Sequence, residues 1–126
     1  MTPQLLLIGL FFCHFLADFT WLSTTWMLNA KSLGKPLLPI FAHAAVHATL
    51  MGLLLSFGNL TVALWFNLVM FQLLSHFLID LWKGRMNVWF PIVTSPANKW
   101  HWILFGFDQF LHAAVICIMW YTACSS

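Results

Sequence analysis

The chain has 126 residues, of which 62% are hydrophobic and 6% charged. A soluble domain carries about 25% charged residues, so this chain cannot cover a water-facing surface and the bilayer is its expected solvent. Its net charge of +2 is too small and scattered for a nucleic-acid footprint, and its three cysteines, Cys13, Cys117 and Cys124, lie in apolar runs without the CxxC spacing of a metal or disulfide framework.

The length suits one domain, residues 1–126. The opening run "MTPQLLLIGLFFCHFLADF" lacks a basic leader and a small-residue cleavage site, and it carries His14 and Asp18. It therefore reads as a retained span rather than a signal peptide. A span needs about 20 mostly apolar residues, and four candidates meet that length at roughly 4–26, 37–57, 60–83 and 99–122. Turn chemistry separates them: Gly34 and Pro36 in "NAKSLGKP", Gly58 and Asn59 in "SFGN", and Gly84, Pro91 and Pro96 in "GRMNVWFPIVTSPAN". The last connection is apolar enough to lie along the membrane surface. Runs this long are helical, because lipid offers the backbone no hydrogen-bond partners and barrel strands are shorter. The expected fold is all-α, an integral-membrane four-helix bundle running up-down-up-down.

Orientation follows from the basic residues. Lys31 and Lys35 fall in the first connection, and Lys83, Arg85 and Lys99 flank the third. These connections share one side of the membrane, which should be cytoplasmic. Both termini then face the periplasm or exterior. Trp21, Trp26, Trp82, Trp89, Trp100 and Trp102 crowd the basic boundary, while Trp120 and Tyr121 mark the other.

Each span carries one polar pair at i, i+4: His14 and Asp18, His43 and His47, His76 and Asp80, Asp108 and His112. Every acidic residue in the protein has a histidine four positions away, roughly a one-in-a-thousand accident of composition. In the third span Gln72, His76, Asp80 and Lys83 point to roughly 0°, 40°, 80° and 20°, a single stripe. Counted inward from the basic ends, Asp18, His43, Asp80 and Asp108 lie about 5 to 14 Å deep. An unpaired Asp near the bilayer centre costs about 2.5–3.5 kcal/mol, so these groups must converge on the interior. Five imidazoles and three carboxylates make a donor set for one or two divalent transition ions, zinc first, with iron and manganese as alternatives. Helical bundles that hold two metals use the same device of two ligands per helix. A metal-free hydrogen-bond network and a proton relay are the competing readings. His101, seven residues before Asp108, is placed to sit at the mouth of a cavity. Lys83 has the ordinary reading of a snorkelling lysine beside its functional one. Gln72 and Gln109 read as helix–helix hydrogen bonders.

The motifs "HFLADF" with a downstream Trp-Met and Lys31, "HAAVH", "HFLIDLWK" and "DQFLH" resemble a family of small bacterial inner-membrane proteins designated domain of unknown function 3307. The resemblance covers residues 14 to 112. It implies a membrane fold carrying these His and Asp positions, in the bacterial inner membrane, and it supplies no activity.

Function is therefore read from the donor set. The leading expectation is a metal-dependent hydrolase acting from the cytoplasmic side on a phosphoester or lipid-like substrate. His14, Asp18, His43, His47, His76, Asp80, Asp108 and His112 would be ligands or support them. Lys83 would hold a phosphate, and His101 would protonate a leaving group. The weak point is the lack of a spare carboxylate to act as general base. A redox di-iron site is a variant. The alternative is a non-enzymatic protein: a proton or metal-ion conductor, which with such short spans would require homo-oligomers, or a metal-stabilised subunit or effector.

Overall fold

The computed structural model describes residues 1–126. It is all-helical, with five α-helices and one short 3-10 helix and no strand: α1 (Pro3–Phe19), α2 (Thr25–Leu33), α3 (Leu37–Leu55), α4 (Val62–Trp89), the 3-10 turn Pro91–Thr94, and α5 (Lys99–Cys124). α3, α4 and α5 are long and apolar enough to cross a membrane, whereas α1, at 17 residues, is shorter.

Most helices start where the sequence supplies an acceptor for their unpaired N–H groups. Thr2, Thr24, Thr61 and Asn98 each turn a side-chain oxygen onto an amide of the first turn. The expected span 4–26 is divided by one of these caps. α1 ends at Phe19, and the Thr20 hydroxyl donates back to the Leu16 carbonyl. After a turn, Thr24 caps a separate helix, α2. The hydroxyl-rich run Thr20–Thr25 competes for backbone partners and stops a helix that hydropathy alone would continue. α2 takes up most of the expected loop "NAKSLGKP", Asn29 to Leu33, and ends at Gly34 in the left-handed region, φ 67°.

α4 likewise passes its expected end at residue 83 and continues to Trp89. The extension is covered by α2: Asn87 Nδ2 donates to the Ser32 carbonyl at 3.1 Å. Gly84 makes this contact possible. A β-carbon there would lie 2.5 Å from Gly34 N and closer still to the Lys31 carbonyl.

Neighbouring long helices run antiparallel, as the residue numbers of their contacts show. Cys13 Sγ donates to the Leu50 carbonyl at 3.7 Å, while Asp18 meets His43 at 2.8 Å. Trp65 Nε1 donates to the Gly52 carbonyl at 2.8 Å, while Asp80 faces His43 at 3.7 Å. Trp120 Nε1 donates to the Pro3 carbonyl at 2.7 Å, and Gln109 meets His14 at 3.3 Å. An apolar cluster of Leu10, Met51, Leu55, Leu68, Ile116 and Met119 fills the end near the termini. Beside it lies a buried polar layer, while Ile8, Phe12, Phe15, Leu74, Leu78, Phe110 and Ile118 face outward. Polar inside and apolar outside is the pattern expected with lipid as solvent.

Gly84→Ala should destabilise the protein by about 1–3 kcal/mol, because backbone rather than a flexible side chain opposes the new carbon. Gly106→Ala, with nothing within 4 Å of the new carbon, should be neutral or slightly stabilising. Thermal unfolding in detergent compares the two.

Candidate metal centre

The period of 3.6 residues carries each i, i+4 pair to one helix face. His14 Nε2 is 3.3 Å from Asp18 Oδ2, His76 Nε2 is 3.1 Å from Asp80 Oδ2, and His112 Nε2 is 3.5 Å from Asp108 Oδ1. Packing then turns the four faces toward one another. The His47 and His76 rings stack at 3.6 Å between centroids, His112 is tilted against His76 at 4.2 Å, and His14 lies 5.1 Å from His47.

Asp18 is the hub on one side. Its Oδ1 is 2.8 Å from His43 Nε2 and 3.0 Å from His47 Nε2. Asp80 Oδ1 lies 3.3 Å from His112 Nε2. Six of the eight expected donors form two groups, Asp18–His43–His47–His76 and His76–Asp80–His112, whose ligand atoms lie within 4.8 Å of one another. Donors held about 2.1 Å from one ion are themselves about 3.0–3.4 Å apart, and the contacts above bracket that spacing. His14 and Asp108 stand outside both groups. His14 Nε2 is shared between Asp18 and Gln109 Oε1. Asp108 Oδ2 accepts from Gln109 Nε2 at 3.1 Å and faces Lys83 Nζ at 3.6 Å.

Orphaned atoms test whether a cation fits. His76 Nε2, Asp80 Oδ2, Asp108 Oδ1 and Gln72 Oε1 are buried without a hydrogen-bond partner. Leaving such a group unpaired costs about 1–3 kcal/mol. His76 Nε2 and Asp80 Oδ2 are close, yet their geometry is not that of a hydrogen bond. A cation between them would use both lone pairs. Gln72 Nε2 sits 3.5 Å from His76 Nδ1. With the amide rotated by half a turn, Nδ1–H donates to Oε1 and Nε2 keeps its lone pair for an ion. The residues present could thus hold a metal ion through nitrogen and oxygen.

Sequence reasoning did not place Lys31 at the centre, using it to orient the chain and as part of a motif. From α2 the Lys31 ammonium reaches 3.0 Å from His43 Nε2, 3.5 Å from Asp18 Oδ1 and 3.6 Å from Asp80 Oδ2. Burial works against its charge, but Asp80, Asp18 and Asp108 outweigh burial and hold its pKa above the usual lysine value. The remaining signal for it was its place in the "HFLADF"-to-lysine motif.

A cavity of about 250 Å³ opens beside the layer, lined by Asp18, Asp80, Asp108, Lys31 and Lys83 among others. A second, of about 390 Å³, shares Ser32, Lys83, Asn87 and Phe105 with it and adds Thr94 and His101. Lys83 Nζ also sits 5.0 Å over the Phe105 ring. His101 stays out of the donor groups: its Nδ1–H donates to the Val93 carbonyl at 2.8 Å.

No curated protein and no solved structure matches this chain. Residues 6–126 match the family described as "Protein of unknown function (DUF3307)". That match takes in the whole donor layer and all but the first few residues, and the chain belongs to this family.

Proposed function

We propose that the chain is a membrane-embedded metal-binding protein that hydrolyses a phosphoester or lipid-like substrate from the cytoplasmic side of the bacterial inner membrane. In this reading α1 spans with α3, α4 and α5 as a single-domain four-helix bundle, with both termini exterior. The observation that carries it is the polar cavity lined by Asp18 and Asp80, one carboxylate from each donor group, which gives a ligand a path to the carboxylate side of both.

Asp18, His43, His47, His76, Asp80 and His112 hold one or two ions of zinc, iron or manganese, with His14 orienting Asp18. When bound, such an ion supplies Lewis-acid polarisation of a phosphoryl oxygen. Asp108 lines the cavity outside both donor groups, so it is the spare carboxylate that the sequence seemed to lack. It takes a proton from water as the water oxygen bonds to phosphorus. Lys83 holds the phosphate charge. His101 commits Nδ1–H to Val93, leaving Nε2, when protonated, to give its proton to the ester oxygen as the P–O bond breaks.

Conduction is the weaker alternative, because the apolar cluster around Leu10 and Met51 closes the interior beyond the polar layer. A metal-stabilised, non-catalytic role remains the contrast for the test.

Elemental mass spectrometry of protein from metal-replete cells should find about one or two transition ions, lost in His43→Ala and Asp80→Ala; a metal-free wild type overturns the reading. Lys83→Ala and His101→Ala should keep the ions while losing about 100-fold or more in the rate of phosphoester hydrolysis. Ions retained with no hydrolysis by wild type would leave the structural role. An ion at 100 times its Kd should stabilise wild type by about 2.7 kcal/mol in thermal unfolding. His76→Ala, which removes the donor common to both groups, should lose most of that gain.

A further inference from the structure

Lys31 stands where a cation belongs. Its ammonium touches His43 and Asp18 of one donor group and Asp80 of the other. His43 Nε2 is also 2.8 Å from Asp18 Oδ1. One imidazole nitrogen cannot donate to a carboxylate and accept from an ammonium at once. Nε2 can therefore satisfy only one of these two neighbours, and when it donates to Asp18 the ammonium at 3.0 Å is left against a nitrogen with no lone pair for it. An ion held by Asp18 and His43 would meet the ammonium as a like charge at contact distance, so the two cannot share the place.

The amine has somewhere to go. Its stem is four flexible methylenes, and Lys31 already lines the inner cavity with Lys83, Ser32 and Asn87. The charge of that cavity depends on the ion. Three carboxylates, Asp18, Asp80 and Asp108, against two ammoniums, Lys31 and Lys83, leave a net of −1, which repels anions. A divalent ion reverses the sign. Phe19, Leu28 and Phe105 supply an apolar wall beside the charged groups, and Trp26, Trp89 and Trp102 stand exposed on the helices that frame the cavities. Such a wall suits a phosphate carried on an amphiphile.

We propose that binding of an ion displaces the Lys31 amine from the donor groups into the cavity, where it and Lys83 form a two-sided site for a phosphate group. The site takes the phosphate of a lipid head group or free inorganic phosphate. It rests on the metal reading above and adds to it that ion and anion bind in order, ion first.

The test uses the full chain, stripped by chelator and reloaded with cobalt(II), whose d–d absorption reports coordination. Radiolabelled inorganic phosphate is the anion probe. Ion-loaded wild type should bind phosphate at least about tenfold more tightly than the stripped protein. Lys31→Gln should bind cobalt as tightly as wild type or more so, because a competing charge is gone, yet bind phosphate about tenfold more weakly. Lys83→Gln should weaken phosphate with cobalt unchanged, and it serves if Lys31→Gln does not fold. Phosphatidic acid in phosphatidylcholine nanodiscs that displaces labelled phosphate identifies a lipid source; phosphate binding without displacement identifies the free anion. Equal phosphate affinity with and without cobalt, or in both variants and wild type, overturns the inference while leaving the metal centre intact. A parallel loss of cobalt and phosphate in Lys31→Gln assigns Lys31 a structural part and also overturns it. Failure of wild type to bind cobalt sinks the metal reading itself.

Discussion

Everything in this structure depends on giving the Asp18 carboxylate partners away from water. Its two oxygens draw His43 and His47 from α3, His14 from its own helix, and Lys31 from α2. Asp80 makes the same demand on His76, His112 and Lys31. A buried charge with too few partners costs more than most apolar contacts supply. The two carboxylates therefore set the rotation and height of the helices around them, and Lys31 between them ties α2 to both.

This requirement also shapes the protein along its length. Toward the termini the interior is apolar, with Leu10, Met51 and Met119 inaccessible, and a cavity of about 240 Å³ opens only beyond them among the chain ends. Toward the basic end the interior is polar and opens into the two cavities. The first of these cavities is lined by three carboxylates and two lysines side by side.

The part of the centre that follows a helix period was legible. Gln72, His76 and Asp80 were expected on one stripe and are all buried together. Lys83 was expected on the same stripe, but it lies at the cavity edge while Gly84 takes the buried position, because the α2 cap lies against it. The break after Phe19 was obscured by hydropathy, which runs on through Trp21, Leu22 and Trp26; the hydroxyl residues at Thr20, Ser23 and Thr24 were the signal to weigh. Lys31 was legible only as a member of the "HFLADF"-to-lysine motif, not as a member of the centre. Its position depends on Gly34 meeting Gly84, two residues far apart in sequence whose pairing no local pattern announces.

By itself the sequence determined that the chain is helical, that it carries runs long and apolar enough to cross a membrane, and that every aspartate has an imidazole one turn away, because composition and i, i+4 spacing are local properties. Only the tertiary structure decided which donors gather around a common point, that His76 belongs to both groups, that Asp108 is left over, and that Lys31 enters the centre. Those outcomes depend on how helices rotate and approach one another, and that is fixed by contacts between residues remote in the chain.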